Sequence, residues 1–253
     1  MSLFYRLILA HMIADFPLQT KQIFNIKMNT KWGVLLHSSI VLLFSILLSF
    51  PYLENSRVIL IIIIVFVTHT IIDKIKLDYS KKTSNQGIKI FLIDQFLHIS
   101  IIAALTINFT KTYLITSPFS NTLLNYLIDV YNNDILIIYM IGYIASVFFI
   151  PILLIYIKEE DVSNVNLKKS PKQKALNIKI PANKMIDKIY RLILTISTQY
   201  LAEQYVIIIF IIFAITNLIS YQLSSGKTES IYNLKSILNS SLAIFIGEML
   251  KFV

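Results

Sequence analysis

Long apolar runs separated by short polar intervals dominate the chain. Stretches such as Val58–Val67 and Val206–Ile215 lie within apolar segments of about 20 residues, the length at which a helix crosses a hydrocarbon core of roughly 30 Å. These runs predict an all-α, polytopic transmembrane bundle of about eight spans, near 3–16, 33–50, 57–77, 88–109, 134–157, 185–202, 204–222 and 231–250. The first span is short, and local thinning of the bilayer would accommodate it. A cleaved signal peptide fits it less well, because His11 and Asp15 interrupt the apolar run and Phe16-Pro17 is a poor cleavage context.

Composition supports this reading. Of 253 residues, 56% are hydrophobic and 15% charged, too few charges to solvate a surface of this size in water. With no cysteine, a disulfide scaffold and a thiolate metal site are both excluded. The net charge of +9 reports orientation rather than nucleic-acid binding. Lys21, Lys27 and Lys31 fall in one interval, Lys74, Lys76, Lys81, Lys82 and Lys89 in another, and eight lysines lie within 158–188; the intervals between these are nearly free of basic residues. Counting Arg191, 19 of the 23 basic residues fall on one side, which predicts a bacterial cytoplasmic membrane protein with both termini outside. Anionic lipid would add attraction at the inner face.

The same pattern divides the chain into residues 1–109, a four-helix bundle; 110–157, an outer interfacial segment and fifth span; 158–183, a basic cytoplasmic linker; and 184–253, C-terminal transmembrane helices. The mixed aromatic and polar stretch 113–131 suits a helix lying on the outer face.

All four histidines lie in the first four spans, and three aspartates accompany them. His11 and Asp15 form H-x-x-x-D at the inner end of the first span, and His69 and Asp73 repeat it at the inner end of the third. His37 lies near the inner start of the second span, and Asp94 and His98 form D-x-x-x-H near that of the fourth. Residues four apart share a helix face, so all seven side chains are expected at a similar depth in the cytoplasmic third. Ionisable groups within a membrane are costly and face a partner, a cavity or a functional site. Imidazole with carboxylate suits a divalent ion, Zn²⁺ first, with Mn²⁺, Fe²⁺ or Mg²⁺ as alternatives. Each group taken singly has a plainer explanation: a packed histidine, a helix-end Asp73 paired with Lys74 or Lys76, or a first-turn Asp94 favoured by the helix dipole. Their joint placement favours His11, Asp15, His37, His69, Asp73 and His98 as ligands, over a metal-free proton-handling cluster or a structural network.

The motifs also repeat. Leu36–Ile40 resembles Leu97–Ile101, His11–Asp15 resembles His69–Asp73, and the spacing to the following histidine is 26 residues in one copy and 29 in the other. Two parallel hairpins facing each other would bring the ligands to a pseudo-twofold axis along the membrane normal. Asp94 has no counterpart, Gly33 standing at its place, and this asymmetry makes it the candidate general base.

At these residues the chain resembles an uncharacterised family of bacterial and phage membrane proteins known as domain of unknown function 3307. The resemblance rests on His11-x-x-x-Asp15-Phe16-x-x-Gln19, on Lys27, Trp32 and His37, on His69-x-x-x-Asp73, and on Asp94-Gln95-x-x-His98. It extends to Ile186–Thr195 and Tyr232–Glu248. The family implies no settled activity, and is loosely similar to multi-span proteins described as membrane metal-dependent hydrolases.

The expected function is hydrolysis of a lipid or amphipathic substrate, with Asp94 as base, and with Gln19, Gln95 and Lys27 toward the substrate. No G-x-S-x-G motif is present, which disfavours serine hydrolysis. The alternatives are a divalent-metal or proton transporter and a structural or regulatory subunit stapled by its metal. Transport ranks second because the wholly apolar Leu60–Phe66 leaves no polar path outward. Expected partners are the lipid bilayer and the substrate, without nucleic acid.

Overall fold

The computed structural model describes residues 2–83, 87–109, 122–153, 184–201, 211 and 230–253, and every regular element among them is helical. The chain divides into two compact units, Met1–Ile141 with Glu159–Ile178, and Gly142–Lys158 with Lys179–Val253.

The first unit holds α1 (Ser2–Asp15), α2 (Lys21–Asn29), α3 (Gly33–Leu48), α4 (Ser56–Thr83), α5 (Ile88–Thr106), α6 (Thr122–Asn132) and the start of α7 (Asp134–Ile144). Helix α1 packs on α3 and α5, and α4 packs on the same two. Leu3, Leu7, Leu9, Ala10 and Ala14 bury α1 on all sides, so its apolar residues need no single stripe. Pro17 disfavours helical backbone at Phe16 and ends the helix directly after Asp15. Leu3, Leu7, Val58, Ile61, Ile62, Val65 and Ile102 form the apolar core, with Tyr52 from the short 3-10 turn between α3 and α4.

The faces of α4 and α5 are divided in the reverse of a soluble helix. Ile59, Leu60, Ile63, Val67, Ile71 and Ile75 make an exposed apolar stripe on α4, while His69 and Asp73 point inward with Val58, Ile61 and Val65. On α5, Leu92, Ile93, Phe96, Leu97 and Ile99 are exposed, while Asp94, Gln95 and His98 are buried. Helices solvated by lipid rather than water are expected to divide this way.

Among the described residues, three helices are long and apolar enough to cross a membrane: Ser56–Lys82, Ile88–Thr106 and Asp134–Leu153. Fewer qualify than the eight runs predict, for identifiable reasons. Gly33–Leu48 is apolar but short, α1 has only 14 residues, and residues 204–222 lie outside the described residues apart from Ile211. The third run continues as helix through Thr83, past the expected end at 77, and the fourth stops at Thr106 rather than 109. The interval 17–32, expected as a loop, contains α2, whose start is capped by Thr20 Oγ1 accepting from the Ile23 amide at 3.4 Å. Of the outer segment 113–131, the described part from Thr122 onward is helix α6, and the linker 158–183 lies outside the described residues.

At the end of the first unit away from the histidines, Arg6 is buried among polar partners. It donates to Ser2 Oγ at 3.1 Å, Leu48 O at 3.2 Å and Tyr131 O at 2.9 Å, and lies 4.6 Å from the Tyr131 ring centroid. Tyr131 Oη donates to the Leu47 and Leu48 carbonyls, and burial raises its pKa above the ordinary phenol value.

The second unit holds the end of α7, which passes through a π-helical turn at Ala145–Phe149, with α8 (Lys184–Tyr200) and α9 (Ser230–Leu250). Gly247 lets α8 and α9 meet closely, since a Cβ there would overlap Thr198 Cβ at 2.6 Å and Thr195 O at 2.7 Å. Hydrogen bonds between Tyr143 and Gln199 (2.7 Å) and between Ser146 and Thr195 (2.6 Å) join the elements, as expected where small and hydroxyl residues replace apolar attraction.

Candidate metal centre

The seven side chains predicted from spacing meet. His11, Asp15, His37, His69, Asp73, Asp94 and His98 are all buried, none more than 6% exposed. Helix α1 supplies His11 and Asp15, α3 His37, α4 His69 and Asp73, and α5 Asp94 and His98.

Asp15 is the hub. Its Oδ1 lies 3.1 Å from His37 Nε2, 3.6 Å from His69 Nε2 and 3.8 Å from His11 Nδ1. Asp73 Oδ2 lies 3.6 Å from His37 Nε2 and 3.4 Å from His69 Nε2. These two oxygens and two nitrogens form a ring with alternating O and N corners and sides of 3.1–3.6 Å. Ligands about 2.0–2.1 Å from a tetrahedral ion stand about 3.4 Å from one another, so the spacing fits a divalent cation.

On the other side, His98 Nε2 faces Asp94 Oδ1 at 3.5 Å. The His98 ring stacks on His69 with centroids 4.2 Å apart, and lies 4.9 Å from His11. A small cavity with room for about one water is lined by His11, Val65, Thr68, His69, His98, Ile101 and Ile102.

Many atoms of the cluster are unsatisfied. His11 Nδ1, His37 Nδ1, His69 Nε2, His98 Nε2, Asp73 Oδ1 and Asp94 Oδ1 are buried and make no hydrogen bond among the described residues. Each such atom costs about 1–3 kcal/mol, and a cation bound among them would relieve several at once. Groups that could hold one are His11, Asp15 and His69; His37, His69 and Asp73; and Asp15, Asp94 and His98, the donors of each set lying within 4.8 Å of one another.

Of the residues expected toward the substrate, Gln95 joins the cluster itself. Its Nε2 donates to Asp15 Oδ2 at 3.2 Å and to Asp94 Oδ2 at 3.1 Å, and its Oε1 faces His11 Nε2 at 3.4 Å. Carboxylates only accept, so they fix the amide orientation; its oxygen then requires a hydrogen on His11 Nε2. His11 Nδ1 lies on the side of Asp15, 3.8 Å from its Oδ1. Lys27 turns inward, its ammonium 2.6 Å from Asp73 Oδ2. Gly33 makes this possible: a Cβ there would overlap the Ile26 carbonyl oxygen and Lys27 Cα, so α2 crosses against α3 only because that side chain is missing. Gln19 is half-buried in the turn before α2 and is not among the groups brought into the cluster.

The plainer explanation of Asp73 taken singly paired it with Lys74 or Lys76. The Lys76 ammonium instead lies 2.6 Å from Asp94 Oδ2, on the neighbouring helix. A lysine one turn beyond an inward-facing aspartate was the available signal; its partner depended on how α4 and α5 pack. Lys27 and Lys76 thus bring two ammonium groups against three buried carboxylates.

No curated protein and no solved structure matches the chain. Residues 3–125 match the model of a family described as protein of unknown function, DUF3307. All seven clustered residues lie inside that stretch, which covers just under half of the chain.

Proposed function

We propose that the protein is an integral membrane, metal-dependent hydrolase acting on a lipid or amphipathic substrate from the cytoplasmic leaflet. The observation that carries this reading is the ring of buried Asp15, His37, Asp73 and His69 donors with sides of 3.1–3.6 Å, in which His69 Nε2 makes no hydrogen bond. When bound, the ion would polarise a phosphoryl or acyl oxygen and bring the pKa of water toward neutrality. Zn²⁺ suits the mixed imidazole and carboxylate set best. Lys27 holds Asp73 as a charged carboxylate, Lys76 does the same for Asp94, and Gln95 orients Asp15 and His11. The water-sized cavity beside His11, His69 and His98 offers room for a nucleophile. The lysine-bearing ends of α2 and α4 face the cytoplasm in this topology, which suits an anionic headgroup.

A metal-stapled structural subunit is the second reading, favoured by the burial of all seven groups. Elemental analysis of the purified full-length protein tests the common premise: at least one divalent ion per chain is expected, and none would overturn both readings. His69→Ala should lose the ion from the ring, and unchanged stoichiometry would remove His69 from the ligand set. Water-proton relaxation of Mn²⁺-loaded protein separates the two readings, since a hydrolase requires exchangeable water at the ion and a closed staple has none.

A further inference from the structure

We propose that the cluster holds two divalent cations, the second between Asp94, His98 and Asp15 with His11 beside it. This rests on the metal reading above. Seven ligating groups exceed what one ion takes, and the unsatisfied atoms fall in two sets. His69 Nε2 belongs to the ring around the first ion. His98 Nε2, Asp94 Oδ1 and His11 Nδ1 do not, and they lie on residues 4%, 3% and 1% exposed. His98 Nε2 and Asp94 Oδ1 face each other at 3.5 Å without hydrogen-bond geometry, an arrangement that leaves both facing a common third partner.

The internal repeat gives an independent reason. It relates His11 to His69, Asp15 to Asp73 and His37 to His98. Applied to the first site, it exchanges the pair His37 and His69 for His98 and His11. The ring centroids of these pairs are 5.3 Å and 4.9 Å apart, so the second pair closely matches the first. The packing agrees, since α1 and α4 each contact both α3 and α5. The departure from symmetry is also explained. Where the second copy has Asp94, the first has Gly33, over which Lys27 crosses to reach Asp73. One copy thus brings in an ammonium where the other brings in a carboxylate. Asp15 belongs to candidate groups on both sides and is the carboxylate placed to bridge two ions, as carboxylates do in paired sites.

The test uses the full-length protein in detergent, stripped with a chelator and reloaded with Mn²⁺ alone. Two ions per chain are expected, with an electron paramagnetic resonance signal of magnetically coupled Mn²⁺. His98→Ala and Asp94→Asn should each reduce this to one ion with an uncoupled signal, and His37→Ala should remove the other ion. One ion per chain in the unaltered protein would overturn the second site and leave the first standing. No bound ion would overturn the metal reading itself. Two ions retained in both His98→Ala and Asp94→Asn would place the second ion elsewhere and also overturn the proposal.

Discussion

A single amide organises much of the polar cluster. Gln95 donates to two carboxylates and accepts from a histidine, so its replacement disturbs three candidate ligands without removing any. Gln95→Leu should weaken divalent-ion affinity about 10–100-fold, as loss of a group orienting metal ligands commonly does. Competition against a chromogenic chelator measures this, and unchanged affinity would show that Gln95 positions nothing. At this scale the sequence was informative about which residues come together and less so about their partners. Four-residue spacing placed His11 with Asp15 and His69 with Asp73, because helix geometry fixes such neighbours in advance. The pairing of Lys27 with Asp73, and of Lys76 with Asp94, depends on contacts between helices, which no local spacing encodes.

Among the elements, α2 is the least legible and one of the most consequential. Its lysines read as loop charges, yet the helix carries Lys27 onto a buried aspartate through the gap left at Gly33. Gly33→Ala would push the new methyl against backbone atoms of α2, which cannot rotate away as a side chain can. The expected result is a loss of about 1–3 kcal/mol, the usual cost of overpacking, with Lys27 drawn off Asp73. Thermal unfolding in detergent should show a lowered midpoint, and an unchanged midpoint would mean that the crossing is looser than described. Helices α4 and α5 were legible as apolar runs. Their ends were less so, because Lys81 and Lys82 continue a helix of 28 residues, about 42 Å at 1.5 Å per residue, beyond the thickness of the hydrocarbon.

For the molecule as a whole, lysine placement predicts which side faces the cytoplasm. The absence of cysteine makes this directly testable, since any introduced thiol is unique. Asn29→Cys should be shielded from an impermeant thiol reagent in intact cells and react after lysis, whereas Glu54→Cys should react in both. The opposite pattern would invert the topology and move the cluster to the outer leaflet.

The reversed faces of α4 and α5 carry one more implication. A water-soluble bundle is glued by the side chains it hides from its solvent. In the proposed membrane setting, the oily side chains of these faces are spent on the solvent itself, and oil gains little by leaving oil. Cohesion among these helices then rests on close packing of the buried core together with the ammonium, carboxylate and imidazole groups at one end and the Arg6 knot at the other. The chemistry of the cluster and the integrity of the first unit therefore draw on some of the same contacts.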